Sequence, residues 1–90
     1  MLEHVVERAV TLGSKSGLPA RPAAIFVQHA SGFQCQITLS KSEKTVNAKS
    51  ILSVLTLGAE QGEQVVLHAD GEDAETAIEK LAALLEGDMG

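Results

Sequence analysis

Residues 34–47 read Gln34-Cys35-Gln36-Ile37-Thr38-Leu39, then Ser40-Lys41-Ser42-Glu43, then Lys44-Thr45-Val46-Asn47. Extended chain points successive side chains to opposite faces, so Cys35, Ile37 and Leu39 fall on one side, and Gln36 and Thr38 on the other. This period of two predicts a strand over 34–39, a polar turn over 40–43 and a short partner strand over 44–47, together a hairpin. A strand that is apolar on one face and polar on the other belongs to an antiparallel sheet, wet on one side and covered on the other.

The flanking sequence supplies the cover. Towards the N-terminus, residues 8–12 alternate, with Val10 and Leu12 opposite Ala9 and Thr11, and Gly13-Ser14-Lys15-Ser16-Gly17 closes that strand. Ala20 to Ser31 carries Ala23, Ala24, Val27 and Ala30 at helical spacing, with Pro22 in its first turn and Gly32 at its end, which predicts a helix. Towards the C-terminus, Ser50 precedes Ile51-Leu52-Ser53-Val54-Leu55-Thr56-Leu57-Gly58, a short helix capped by a hydroxyl and stopped by glycine. Gln64 to Ala69 is a further strand. A last helix starts at Glu72 or Asp73, places Ala77, Ile78, Leu81, Ala82, Leu84 and Leu85 on one broad face, and ends at Gly87. The order strand, helix, strand, strand, helix, strand, helix describes an α+β two-layer sandwich, one domain over residues 1–90.

Ninety residues, 44% of them hydrophobic, suffice for one core and leave no room for a second. A single cysteine, Cys35, cannot close an intrachain disulfide or build a thiolate metal cage, so no metal or cofactor is expected. The N-terminus mixes charges into its apolar residues, unlike an export signal or a membrane span, which leads to the expectation of a cytoplasmic protein. Seven basic against twelve acidic side chains, a net charge of -5 and two phenylalanines argue against a phosphate-tracking or base-stacking nucleic-acid surface. The acidic group Asp70, Glu72, Asp73 and Glu75 lacks the twelve-residue calcium-loop pattern, and carboxylates at a helix start are expected there as capping groups.

Two segments carry further information. Gly17-Leu18-Pro19-Ala20-Arg21-Pro22-Ala23-Ala24 runs a glycine-containing loop into a helix N-terminus with an arginine in the first turn. Free N–H groups, the positive end of the helix dipole and a guanidinium then meet in one place, which suits an anion around Ala20 and Arg21. The same residues also serve as ordinary helix punctuation. In Val46-Asn47-Ala48-Lys49-Ser50-Ile51-Leu52-Ser53-Val54-Leu55-Thr56-Leu57-Gly58, a helix packed through Val54 and Leu57 turns Ile51, Leu52 and Leu55 towards solvent beside Ser50. Such an exposed apolar cluster suits docking, whereas a helix buried all round has no such face. Ser50 reads as an N-cap, and a phosphate added there would sit favourably at the positive helix end.

Gly17-Leu18, Ala20-Arg21-Pro22-Ala23, Val46-Asn47-Ala48-Lys49-Ser50-Ile51, Leu57-Gly58 and Gly71-Glu72-Asp73, in this order and spacing, resemble the HPr phosphocarrier family of the bacterial sugar phosphotransferase system. The resemblance spans about residues 7–86. It implies an open-faced β-sandwich, four antiparallel strands with three helices on one face. It also implies that the phosphorylatable histidine of the family would stand at position 19, where this chain has Pro19. Proline has no nucleophilic side-chain atom and cannot carry phosphate. Arg21, which in the family assists that histidine, remains. His29 lies roughly 15 Å further along the same helix at 1.5 Å per residue, and His4 and His68 lie in or near strands; none of the three is expected to replace it.

The resemblance further implies that Lys49-Ser50-Ile51 is the segment modified by HPr kinase/phosphorylase, with Ile51, Leu52 and Leu55 as the docking patch. The Crh branch of the family keeps the serine and has glutamine for the histidine, so Pro19 departs from that branch too. By this resemblance the chain is expected to be a non-enzymatic regulator of carbon catabolite repression. Phosphorylated on Ser50, it would act as corepressor of a transcription factor like catabolite control protein A. Enzyme I docking without phosphotransfer and a homodimer built through the first strand are implied in the same way. The alternative is a phosphocarrier HPr changed at position 19; a third reading is an adaptor that binds a phosphorylated metabolite at Ala20 and Arg21.

Overall fold

The computed structural model describes residues 5–13 and 20–87, with the side chains of Ala20 and Arg21 left out. Its elements follow the predicted order: β1 (Val5–Thr11), α1 (Ala20–Ser31), β2 (Gln36–Lys41), β3 (Lys44–Asn47), α2 (Ile51–Thr56), β4 (Gln64–Asp70) and α3 (Ala74–Glu86). The four strands form one antiparallel sheet in the order β1-β4-β2-β3. β4 is therefore central, paired on one side with β1 through Val10↔Val65 and on the other with β2 through Leu39↔Leu67.

Alternation sorts the sheet into two faces. Val10, Ile37, Leu39, Val46, Val65, Leu67 and Ala69 are buried on the helical side. On the open side a polar row crosses all four strands, Glu7, His68, Thr38 and Asn47, each opposite the next. α3 lies over β1 and β4, and α1 packs against both α2 and α3. The face predicted for α3 is buried at Ala77, Ile78, Leu81, Ala82 and Leu85, while Leu84 is half-buried. Burial of Ile78, Leu81 and Leu85 contributes about 2 kcal/mol each.

Several boundaries and faces differ from the sequence expectation. β1 starts three residues earlier, at Val5, because pairing with β4 continues through Val5↔Asp70. β2 starts at Gln36 instead of Gln34 and runs on to Lys41, whose partner is Lys44. In α1, Ala24 is exposed, and Phe26 fills the core with no exposed surface. The helix turns its bulkiest apolar group inward, which shifts the buried stripe to Ala23, Phe26 and Ala30.

Asp73 is also put to a different use. Although it is the N-cap residue of α3, its side chain makes no capping bond. Its carboxylate instead accepts hydrogen bonds across the fold from the N–H groups of Gln34 at 2.8 Å and Cys35 at 2.9 Å. This clamp ties the approach to β2 to the start of α3. Next to it, Gly71 has φ 152, and a Cβ there would lie 2.7 Å from Cys35, so both the turn and the close approach require glycine. Burial pushes the Cys35 thiol up to about 11, helped by its hydrogen bond to Asp73 and the nearby carboxylate charge. It is therefore a core thiol and a poor nucleophile.

The Gln34 N–H bond, then the Cys35 thiol bond, hold the Asp73 carboxyl below its ordinary value. A carboxyl lowered on folding stabilises the fold above the unfolded carboxylate range and loses that contribution as pH falls through the folded value. Asp73→Ala should lower Tm at neutral pH, and the gap to the parent should narrow below about pH 4. Thermal denaturation followed by circular dichroism tests this; a gap of equal size at neutral and strongly acid pH would contradict the clamp.

Candidate functional site

The segment from Asn47 to Gly58 is held at both ends and along one side. Asn47 Oδ1 accepts from the Lys49 N–H at 2.9 Å, and its carbonyl accepts from the Ser50 N–H at 3.1 Å. The resulting Asx turn bends the chain out of β3 and into α2. Ser50 is extended, with φ -118 and ψ 114, and caps the helix by accepting from the Ser53 N–H at 3.4 Å. That distance lies at the long end for a hydrogen bond, so the hydroxyl is only loosely committed to its cap. Ser50 is half-buried.

A helix of six residues is too short to persist on its own propensity. Lysines supply what it lacks. Lys44 Nζ donates to the Thr56 carbonyl at 2.7 Å, and Lys41 Nζ donates to the Gly58 carbonyl at 3.0 Å and pairs with Glu63 at 3.0 Å. Both ammonium groups sit at the negative end of α2, where cations are favoured. Gly58, at φ 67, ends the helix in the left-handed conformation. At the other end Lys49 Nζ reaches the Phe33 carbonyl at 2.7 Å and ties the α2 entry to the turn after α1.

α2 is attached to the core through Val54, with 0% exposed, and Leu57, with 5%. Ile51, Leu52 and Leu55 remain outside at 37%, 74% and 37%. The exposed face expected from the helical wheel is therefore present, and the reading of a helix buried all round is excluded. Lys49 and Ser50 at the entry of α2 adjoin the exposed Ile51, Leu52 and Leu55. α2 itself has no acidic residue in its first turn.

The other half of the predicted site falls elsewhere. Pro19 lies outside the described residues, as do the side chains of Ala20 and Arg21; α1 begins at Ala20. His29 is exposed near the end of α1, His68 is half-buried on β4, and His4 is outside the described residues. Among the described residues no group of three or more His, Cys, Asp or Glu side chains could hold a metal ion. No described helix is long and apolar enough to cross a membrane.

The family defined by the PTS HPr component phosphorylation site matches residues 6–87. The chain belongs to the HPr family. It is 45% identical over 85 residues to the HPr-like protein Crh of Bacillus subtilis, which covers 94% of this chain and 100% of Crh. The crystal structure of phosphocarrier protein HPr from Bacillus anthracis superposes with a TM-score of 0.88 at 44% identity, over 90% of this chain and 96% of that one. A crystal structure of B. subtilis Crh, described as a swapped, intertwined dimer, superposes with a TM-score of 0.76 at 46% identity, over 92% and 95% of the two chains. Both branches are thus about equally similar to this HPr-family chain, and both consist of phosphocarrier or regulatory proteins, not enzymes.

The sequence pattern points to the exposed residues of α2 but not to the groups that hold it. The Asn47 turn has a local signal, an asparagine two residues before the N–H it binds. Lys41, Lys44 and Lys49 have none, because their partners lie 17, 12 and 16 residues away. The division of α2 into a buried and a free side has a direct consequence for mutation. Leu52→Ser should change stability by less than about 0.5 kcal/mol, whereas Val54→Ala should cost about 2 kcal/mol. Urea denaturation measures both; equal losses would mean that Leu52 is packed in solution.

Proposed function

We propose that this chain is a cytoplasmic regulatory member of the HPr family, phosphorylated on Ser50 by HPr kinase/phosphorylase. The modified form then acts as corepressor of a transcription factor like catabolite control protein A. One observation carries the reading: Ser50 stands at the start of a helix whose three large apolar side chains, Ile51, Leu52 and Leu55, face solvent. A partner seated on those side chains also meets whatever Ser50 bears. Replacing the hydroxyl hydrogen by a phosphoryl group exchanges one 3.4 Å cap for three strong acceptor oxygens beside the Ser53 N–H and the positive helix end. The helix has no carboxylate in its first turn to oppose the new charge. Lys49 adds a cation to the same surface, and Ala20 and Arg21 are assigned to the partner-binding region by family likeness.

Position 19 supports a regulator over a carrier. Proline there offers no atom for phosphoryl transfer from phosphoenolpyruvate by way of enzyme I, so enzyme I docks without passing phosphate. The crystal structure of Crh as a swapped dimer supports a homodimer of this chain, built by exchange of β1, an edge strand paired only with β4.

Incubation with HPr kinase/phosphorylase and ATP should place one phosphate on Ser50, read by mass spectrometry, and Ser50→Ala should abolish it. Phosphate elsewhere, or an equal yield from the alanine variant, would overturn the assignment.

The second reading is a phosphocarrier altered at position 19, favoured by the 44% identity to an HPr. It predicts that Pro19→His restores phosphate transfer from enzyme I to a sugar-specific acceptor. A radiolabelled phosphoenolpyruvate assay measures this, and the phosphocarrier reading fails if the restored variant docks enzyme I no better than an unrelated domain.

A further inference from the structure

The helical layer has a second feature besides the α2 patch. Between the end of α1 and the middle of α3 are two adjoining hollows. One, about 500 Å³, is lined by Gln28, His29, Gly32, Phe33 and Lys80. The other, about 280 Å³, is lined by His29, Lys80, Ala83 and Leu84. His29 and Lys80 border both. The half-buried ring of Phe33 lines the first and the half-buried side chain of Leu84 the second, each packed inward against the core and partly open outward.

The charge of this surface runs against that of the chain. The protein carries a net charge of -5, yet no carboxylate among the described residues lines either hollow. Among those residues Lys80 makes none of the backbone contacts that engage Lys41, Lys44 and Lys49. His29 stands in the last turn of α1 and lines the same two hollows, adding an imidazole donor to them. A cation and a second donor bordering two hollows, one holding the Phe33 ring and the other Leu84, are complementary to a carboxylate with an apolar side chain on each side.

We propose that this surface docks a segment of a partner protein in which an Asp or Glu is flanked at short range by large apolar residues. The carboxylate meets His29 and Lys80, and the flanking side chains enter the hollows against Phe33 and Leu84. The site is separate from Ser50 and does not depend on its modification.

The test uses the full chain, isotopically labelled, and two capped pentapeptides, Leu-Gly-Glu-Gly-Leu and Leu-Gly-Gln-Gly-Leu, titrated to millimolar concentration in amide NMR spectra. The glutamate peptide should give saturable shifts at Gln28, Phe33 and Leu84. Binding should weaken about fivefold for the glutamine peptide and for the double variant His29→Gln, Lys80→Gln, the loss expected when an exposed charged contact of this kind is removed. Arg8→Gln, which removes a positive charge from β1, should bind as the parent does. Both altered positions are exposed, and an unchanged Tm verifies that the double variant folds. Absence of saturable shifts, equal binding of the two peptides, or tighter binding at the same amides by a short thymidine oligonucleotide would overturn the proposal.

Discussion

The dry face of the sheet, where Val10, Ile37, Leu39, Val65, Leu67 and Ala69 lie side by side, must be covered over its whole area, because exposed apolar surface costs about 25 cal/mol per Å². Three helices provide the cover, and they are unequal. α3, with 13 residues, presents a stripe wide enough to seal β1 and β4. α1, with 12 residues, contributes Ala23, Phe26 and Ala30. α2 has six residues and covers what remains. A helix of that length meets the core with one side only, so an apolar composition necessarily leaves side chains in water. The exposed patch is thus a geometric consequence of how the sheet is covered.

That arrangement also sets how α2 is stabilised. Its two contacts with the core, Val54 and Leu57, fix its depth but not its ends. The ends are fixed by polar groups from neighbouring elements: Ser50 and Asn47 at the entry, Lys44 and Lys41 at the exit, and Lys49 reaching to Phe33. Lysine suits this use, since its long apolar stem lies along the surface while the ammonium finds a carbonyl. The result is a short helix whose position is defined although Ile51, Leu52 and Leu55 remain exposed.

Much of this is legible in the chain because it depends on period. Alternation in Cys35, Ile37 and Leu39, and spacing in Ile78, Leu81 and Leu85, are local properties that burial reproduces. The same holds for Val54 and Leu57 against Ile51, Leu52 and Leu55. The features that escape a reading of the chain depend on tertiary partners. Asp73 looks like a helix cap from its position, yet its carboxylate serves N–H groups 39 and 38 residues away, and a side chain engaged there cannot also turn back to its own helix. Ala24 and Phe26 show the same limit in packing: both fit a helical stripe, and the volume available beneath α1 selects the larger. The first half of the candidate site, Pro19 with the side chains of Ala20 and Arg21, rests on sequence likeness alone.

The distribution of charge makes the starts of α3 and α2 unequal as sites for a phosphate. α3 opens with Asp73 and Glu75, and Glu72 precedes them, so an added dianion there would meet like charges at short range. α2 opens with Lys49 and Ser50 and has no carboxylate in its first turn. A phosphate added at Ser50, as proposed, would therefore gain the local field of a cation and free N–H groups, in a protein whose net charge would otherwise repel it. The attraction is short-ranged, because screening confines it to about 8 Å at physiological salt. The proposed modification would change the surface where Ile51, Leu52 and Leu55 are exposed and leave the rest of the fold electrostatically as it was. A switch of this kind would act by altering what a partner meets at one patch, and the fold that presents the patch need not move.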